Sequence, residues 1–524
     1  MGFPKIAYRA LEDVVGPEFV SSDPSICIAY SRGGYGTGIY DRGKKLPGCV
    51  ILPKDTEEIQ TIVRIADRYK IPYIPVSTYF IGFCTPLRSN TLMIHLRRMN
   101  RLEIDEKNMS ALVQPYVSYS QLQIEAMKRG LFTCATMAGA QISVLANHIS
   151  FGQGQLTHRL GIGSRRILGM EWVLPNGEVL KTGSVGIPGA GYFWGEGPGP
   201  DLRGMVRGYS SNLGGLGIIT QIAVKLFPLP KPCVPEPQGI TPRTTFALSP
   251  DTFRWYMINY PTPEACVNAM YEISKAEIGA VVMRTPSLWR NIRKATSKEE
   301  FWNLYETDKV KIEQSKPNVI RVLLIGFASP KQTDYEERVL KDIAEETGGS
   351  LRRVPDTGSA DCFQPSYTNC AFRPGGLFIS TKLGYDSIDH ALIYLKEGMK
   401  IKRAFMPPLL DDKEECGWIC SYDFGHHAHG EITSYYELSE ENSAKVLEFE
   451  KQCILQDLEM KAFMGFQYGA YHDFTGPRMG DYHLLLKKIK MALDQNDLSN
   501  PGRFVMIDPK KEDKDSYYSL MNRD

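Results

Sequence analysis

The stretch from Ala138 to Pro230 constrains the rest of the chain more than any other. It opens on a run of small residues, Ala138-Gly-Ala-Gln-Ile-Ser-Val-Leu-Ala-Asn-His-Ile-Ser-Phe-Gly-Gln-Gly154. In Met170–Gly183, Pro175-Asn176-Gly177 separates two β-rich runs. A Gly- and Pro-dense loop follows at Gly195–Gly204, and the stretch closes on Asn212-Leu-Gly-Gly-Leu-Gly-Ile-Ile-Thr220 and an alternating strand to Pro228. Asn-Gly between two such runs predicts a tight hairpin, because those residues accept the positive φ that a short turn needs. Glycine at this density lets the main chain take positive φ and leaves its N–H groups open to close approach by a ligand.

The 524 residues suffice for two or three domains with a large core. Lys and Arg number 61 against 60 Asp and Glu, a net charge of +1 that implies no nucleic-acid partner. The longest apolar run, Val319–Ala328, contains Arg321 and falls short of the roughly 18 residues of a membrane helix, so no span is expected. Met1–Arg9 lacks a signal-peptide apolar region, and the eleven cysteines include no Cys-x-x-Cys pair. Free thiols in a reducing cytoplasm are the expectation.

Periodicity organises the remainder. Cys49–Leu52 reads as a buried strand, and Asp55 or Thr56 caps a helix that carries Ile59, Ile62, Val63 and Ile65 to about Lys70. Strands are expected at 71–76, 92–96 and 111–117, and a helix at 118–129. Residues 45–130 and 131–235 thus read as two α+β subdomains. The Pro-rich Pro228–Pro237 is a boundary. Beyond it, 240–410 alternates strand and helix, which predicts an antiparallel sheet with helices on one face.

The order of these features resembles the FAD-binding flavoproteins of the vanillyl-alcohol oxidase / p-cresol methylhydroxylase family. The likeness is carried by the Gly177-centred hairpin in Val173–Gly183, the loop Gly195–Pro198, Gly217-Ile-Ile-Thr220, the Leu229-Pro-Lys-Pro232 exit and the final Asn500-Pro-Gly-Arg503. Within that family it is most similar to the 4-alkylphenol-oxidising branch. The resemblance implies an α+β chain, with a PCMH-type two-subdomain FAD-binding domain over 1–235. An inserted α+β cap, an antiparallel sheet covered by helices, would occupy 240–455, and a segment over 456–524 would return to the FAD domain. It implies diphosphate held by Ser77, Thr78 and Gly82 in one loop and by Gly139, Asn147, Gly152 and Gly154 in the other. Adenine would lie near Gly217 and Ile219, and Arg503 near the isoalloxazine. FAD is expected to be non-covalent, since Cys370 stands at the family's tether position.

The chain departs from the family at several positions. Tyr79 and Phe80 replace a Gly and an Arg of the first loop. Phe83 and Met464-Gly465 replace the Tyr residues and the Arg that ionise a phenol, and Ser150 replaces an Asp. A 4-alkylphenol substrate is therefore not expected. In its place stands His426-His-Ala-His-Gly-Glu431. In an extended strand His427, His429 and Glu431 share a face. They could handle a substrate proton, bind a divalent metal, or pack at a domain seam. Tyr468, Tyr471 and His472 are candidates for proton transfer in the return segment, and Arg478 for a substrate carboxylate.

The expected activity is hydride transfer from a small aromatic or hydroxylated substrate to the flavin, with electrons passed to a protein or small-molecule acceptor. The alternatives are a flavin-fold subunit that has lost FAD and docks in a complex, and a redox-neutral flavoenzyme of the ether-lipid synthase kind. A homodimer or a place in a larger complex is implied by the resemblance.

Overall fold

The computed structural model describes residues 2–31, 45–79, 85–136, 141–150, 152–191, 195–197, 199–230, 237–238, 245–246, 248–286, 288, 291, 295, 297–315, 318–354, 377–380, 382–411, 416–460, 469 and 471–508.

The first subdomain is built on a four-stranded sheet ordered Val20–Ser21, Cys49–Ile51, Leu92–His95, Tyr73–Val76, in which the last three strands run parallel. Parallel neighbours require a crossover, and the helix Thr56–Tyr69 supplies it. Asp55 accepts from the Glu58 N–H at its start, and Lys70 ends it with φ +53°. Its buried face is Ile59, Ile62, Val63 and Ala66, packed with Ala7 and Leu11 of the helix Lys5–Val15.

The second subdomain is a five-stranded antiparallel sheet in the order Leu102–Asp105, Ser110–Val113, Ile218–Lys225, Ile167–Val173, Val179–Lys181. The expected hairpin joins its last two strands, with Gly177 at φ +81°. A further element had no clear sequence signal. Val144–Ile149 forms a short helix inside the small-residue run, with Ser143 as its cap, accepting from the Ala146 N–H at 3.1 Å.

Seven antiparallel strands form the third sheet, ordered Ser350–Val354, Phe253–Tyr260, Asn318–Ile325, Val281–Arg284, Trp418–Tyr422, His427–Glu431, Leu383–Asp386. Alternation along the strands separates two cores. Tyr256, Ile258, Val282, Ile320, Val322 and Ala428 pack under the helices Pro263–Lys275, Pro330–Glu346 and Ile388–Ala404. Trp255, Val281, Met283, Leu323, Trp418 and Tyr422 turn the other way and meet Phe132, Cys134 and Leu156. The face without helices therefore rests on the first half of the chain.

The C-terminal segment returns to the first two sheets. Tyr73 N–H donates to Leu498 O at 2.8 Å, and Asn500 N–H to Tyr73 O at 2.8 Å. Lys490, fully buried, donates to Asp494 Oδ2 (2.5 Å), Ser499 O (2.6 Å) and Gly215 O (2.7 Å). The described cysteines Cys27, Cys49, Cys134, Cys266, Cys416, Cys420 and Cys453 are all buried. No helix among the described residues is long and apolar enough to cross a membrane.

Candidate active site

A cavity of about 180 Å³ opens where the first sheet, the small-residue run and the 211–219 turn meet. Ser77, Thr78, Asn147, Ser150, Ser211 and Asn212 give it a neutral polar lining, and Leu96, Leu145, Ile149 and Ile219 an apolar one. The two loops expected to converge do so. The Ser143 N–H donates to Thr78 Oγ1 at 3.1 Å, which ties the end of one to the helix cap of the other. Tyr79 keeps φ +54°, the conformation a glycine would have adopted there. Its ring packs near Tyr30 (centroids 5.7 Å) and its hydroxyl donates to Tyr30 O, so its bulk is anchored at the cavity edge. Asn147 is buried and its amide donates to Tyr119 Oη (2.9 Å) and Gln153 O (3.1 Å).

Gly217 lines the cavity, and the chain's own atoms leave it no room for a side chain. Its φ is +103°, and a Cβ there would sit 2.3 Å from Val173 O and 2.9 Å from Trp172 Nε1. Its N–H is already given to Ser499 Oγ at 3.0 Å. Gly152 and Gly154 need a different account from the expected ligand contact. A Cβ at Gly152 would meet Ile162 at 2.7 Å, and one at Gly154 would meet Cys134 Sγ at 2.5 Å. Their small size serves the chain's own packing, and neither lines the cavity. Arg503 is buried and donates to Thr85 O through Nε (3.1 Å) and Nη2 (3.0 Å), so it fastens the return segment to the first loop's far end. Gly82 and Gly139 lie outside the described residues, as do Phe80, Phe83, Cys370, Met464, Gly465 and Tyr468.

A second cluster forms where the seven-stranded sheet faces the cavity loops. Gly208 N–H donates to Ile149 O at 3.1 Å, which sets Tyr209 beside the cavity wall. The Tyr209 ring lies 4.2 Å from that of Tyr385, and Tyr385 lies 5.3 Å from the His429 ring. As strand parity required, His427, His429 and Glu431 leave the sheet on the side away from its helices, while Ala428 packs under them. His429 Nε2 meets Glu431 Oε2 at 3.0 Å, and buried Nδ1 has no hydrogen-bond partner among the described residues. Trp418 and Tyr422 complete its surroundings. His427 stands 3.6 Å from Asp423, and burial holds its imidazole below the usual range. No group of three His, Cys, Asp or Glu residues with metal-binding geometry occurs among the described residues.

The other return-segment candidates are placed elsewhere. Tyr471 Oη lies 3.4 Å from Asp457 Oδ2, in a buried cluster with Lys382 and Tyr394. The Lys382 stem lies against Gly398 of the helix Ile388–Ala404, on the covered side of the sheet. His472 is buried beside His483, and desolvation pushes it down to about 4. Arg478 is exposed and donates to Asp457 O (2.7 Å) and Met460 O, the orphan carbonyls at the end of Glu440–Glu459. It is a helix cap, and the expected carboxylate contact is not carried forward.

Sequence reasoning passed over His148, His158, Arg166, Tyr209 and Tyr385. His158 pins the two halves of the chain: Nδ1 meets Ser421 Oγ at 2.9 Å and Nε2 meets Ile278 O at 3.1 Å. Burial pushes it down to about 3. His148 lies in the small-residue run with no signal of its own, and the others stand in no motif, so no local signal marks them.

Residues 47–183 match the family described as FAD binding domain. The chain carries an FAD-binding domain of the PCMH type. Two converging loops and a mixed polar and apolar lining suit part of that cofactor. The glycolate oxidase subunit GlcD of Bacillus subtilis is 30% identical over 228 residues, 42% of this chain and 44% of that protein. The match thus spans less than half the length of that relative. Among solved structures, 4-ethylphenol oxidase from Gulosibacter chungangensis superposes with a TM-score of 0.73 at 20% identity, over 96% of this chain and 98% of that one. The p-cresol methylhydroxylase structure gives 0.71 at 17%, with the same coverage. These likenesses show the fold, and they agree with the family resemblance read from the sequence.

Proposed function

We propose that this chain is an FAD-dependent oxidoreductase that removes a hydride from a small aromatic or hydroxylated substrate at the seam between the FAD-binding domain and the cap sheet. The observation that carries the reading is His429. It is 2% exposed, held at Nε2 by Glu431, and unpartnered at Nδ1 among the described residues, on the sheet face turned toward the cavity loops. An imidazole fixed by a carboxylate on one nitrogen and free on the other is suited to accept a substrate hydroxyl proton. Glu431 orients the ring and stabilises the imidazolium that results. Tyr209, Tyr385, Tyr422 and Trp418 supply rings against which a planar substrate would pack and from which water is excluded. Bound FAD supplies a hydride acceptor at flavin N5. FAD is held without a covalent tether, electrons leave to a protein or small-molecule acceptor, and the protein works in the cytoplasm as a homodimer or in a complex. Tyr79, one of the two residues behind the reading of a subunit that has lost its cofactor, is anchored at the cavity edge, which favours the FAD-bound reading.

The test is anaerobic mixing of the FAD-loaded protein with aryl alcohols, 2-hydroxy acids and 4-alkylphenols. At least one of the first two classes is expected to bleach the flavin band near about 450 nm. Failure of every class, with dithionite still bleaching the band, would sink the proposal.

A further inference from the structure

Arg166 is 3% exposed, and its Nε, Nη1 and Nη2 have no hydrogen-bond partner. Guanidinium groups carry five N–H donors and stay charged, so such burial is costly unless an anion offsets it. Among the described residues no acidic side chain pairs with it. Nη2 would lie 3.3 Å from a Cβ at Gly163, whose N–H donates to Gly152 O at 2.7 Å. The neighbours on which its charge acts are Tyr119 and His148. His148 Nδ1 donates to Val144 O at 2.8 Å, and its buried Nε2 is also unpartnered. Burial, then the Arg166 charge, push His148 down to about 3, so it stays neutral.

These two orphaned groups lie one layer behind the cavity. His148 stacks on Tyr119 (centroids 5.9 Å), Tyr119 Oη accepts from Asn147 at 2.9 Å, and Asn147 lines the cavity. A charge that no described residue neutralises, set behind the wall of the cavity, calls for an anion from a ligand. FAD is such an anion, at its diphosphate and, once reduced, at its ring. We propose that Arg166 is the counter-charge for an anionic oxygen of bound FAD, acting across the wall formed by Asn147, Tyr119 and His148. It is a binding and positioning residue. The inference rests on the FAD-binding domain and is independent of the substrate reading.

The test uses the full-length protein, freed of flavin and titrated with FAD and separately with ADP. Arg166→Met is expected to raise the FAD dissociation constant at least about tenfold, while the flavin-free protein melts no lower than the native one. Arg166→Lys, which keeps the charge, should stay within about threefold. Loss of ADP affinity by the same factor would assign the diphosphate as the anion; unchanged ADP affinity with weakened FAD would assign the flavin ring. Either result supports the proposal. FAD affinity within about twofold of native would overturn it. So would an Arg166→Met protein that fails to fold, or that loses as much stability without FAD as with it, because the guanidinium would then serve the chain alone.

Discussion

A Gly217→Ala protein is expected to lose on the order of 3–5 kcal/mol of stability and to bind FAD at least about tenfold more weakly. Three constraints meet at this position. The backbone sits at φ +103°, where a Cβ costs about 1–2 kcal/mol in its own right. The added methyl would fall 2.3 Å from Val173 O, a main-chain atom inside the Ile167–Val173 strand. It would also fall 2.9 Å from Trp172 Nε1, which is held by Leu216 O at 2.8 Å and cannot swing aside. Any shift that relieves these contacts drags Gly217 N away from Ser499 Oγ and loosens the returning C-terminal segment. Denaturant unfolding and an FAD titration of the same preparation measure both effects. A loss below about 1 kcal/mol with native FAD affinity would mean the turn yields and makes room for a side chain.

The second large effect is expected at His429. His429→Asn should lower kcat/KM by about 10²–10⁴-fold at near-native FAD content and melting temperature. The neighbouring histidine supplies the control. His427 is half-buried and already faces Asp423, so His427→Asn should cost less than about tenfold. Steady-state kinetics on the substrate that bleaches the flavin decides the matter. Equal losses from the two substitutions would locate proton transfer elsewhere, and native rates in both would remove the strand from the chemistry.

Much of this architecture was legible from local pattern. Asp55 caps its helix, Asn176-Gly177 turns its hairpin, and the strands Phe253–Tyr260 and Asn318–Ile325 fall where strands were expected. The placing of His427, His429 and Glu431 on one face needed only the two-residue period of a strand. What pattern cannot register is who fills a space. Gly152 and Gly154 look like ligand contacts in a row of small residues, yet Ile162 and Cys134 occupy the room their missing side chains leave. Arg478 looks like a carboxylate partner, yet two carbonyls at a helix end claim it. Tyr79 looks like an obstruction, yet it keeps the left-handed backbone and carries its ring to Tyr30. Arg166 is the inverse case: its sequence context is unremarked, and only the three-dimensional lack of a partner gives it away.

We propose that the loops joined at Thr78 and Ser143 grip a dinucleotide between the two N-terminal subdomains. The flavin content of the purified full-length protein tests it most directly. The expected result is a yellow protein, or one that turns yellow on adding FAD, with about one FAD per chain and a band near about 450 nm. A folded protein that stays colourless and takes up no FAD at any concentration would contradict it.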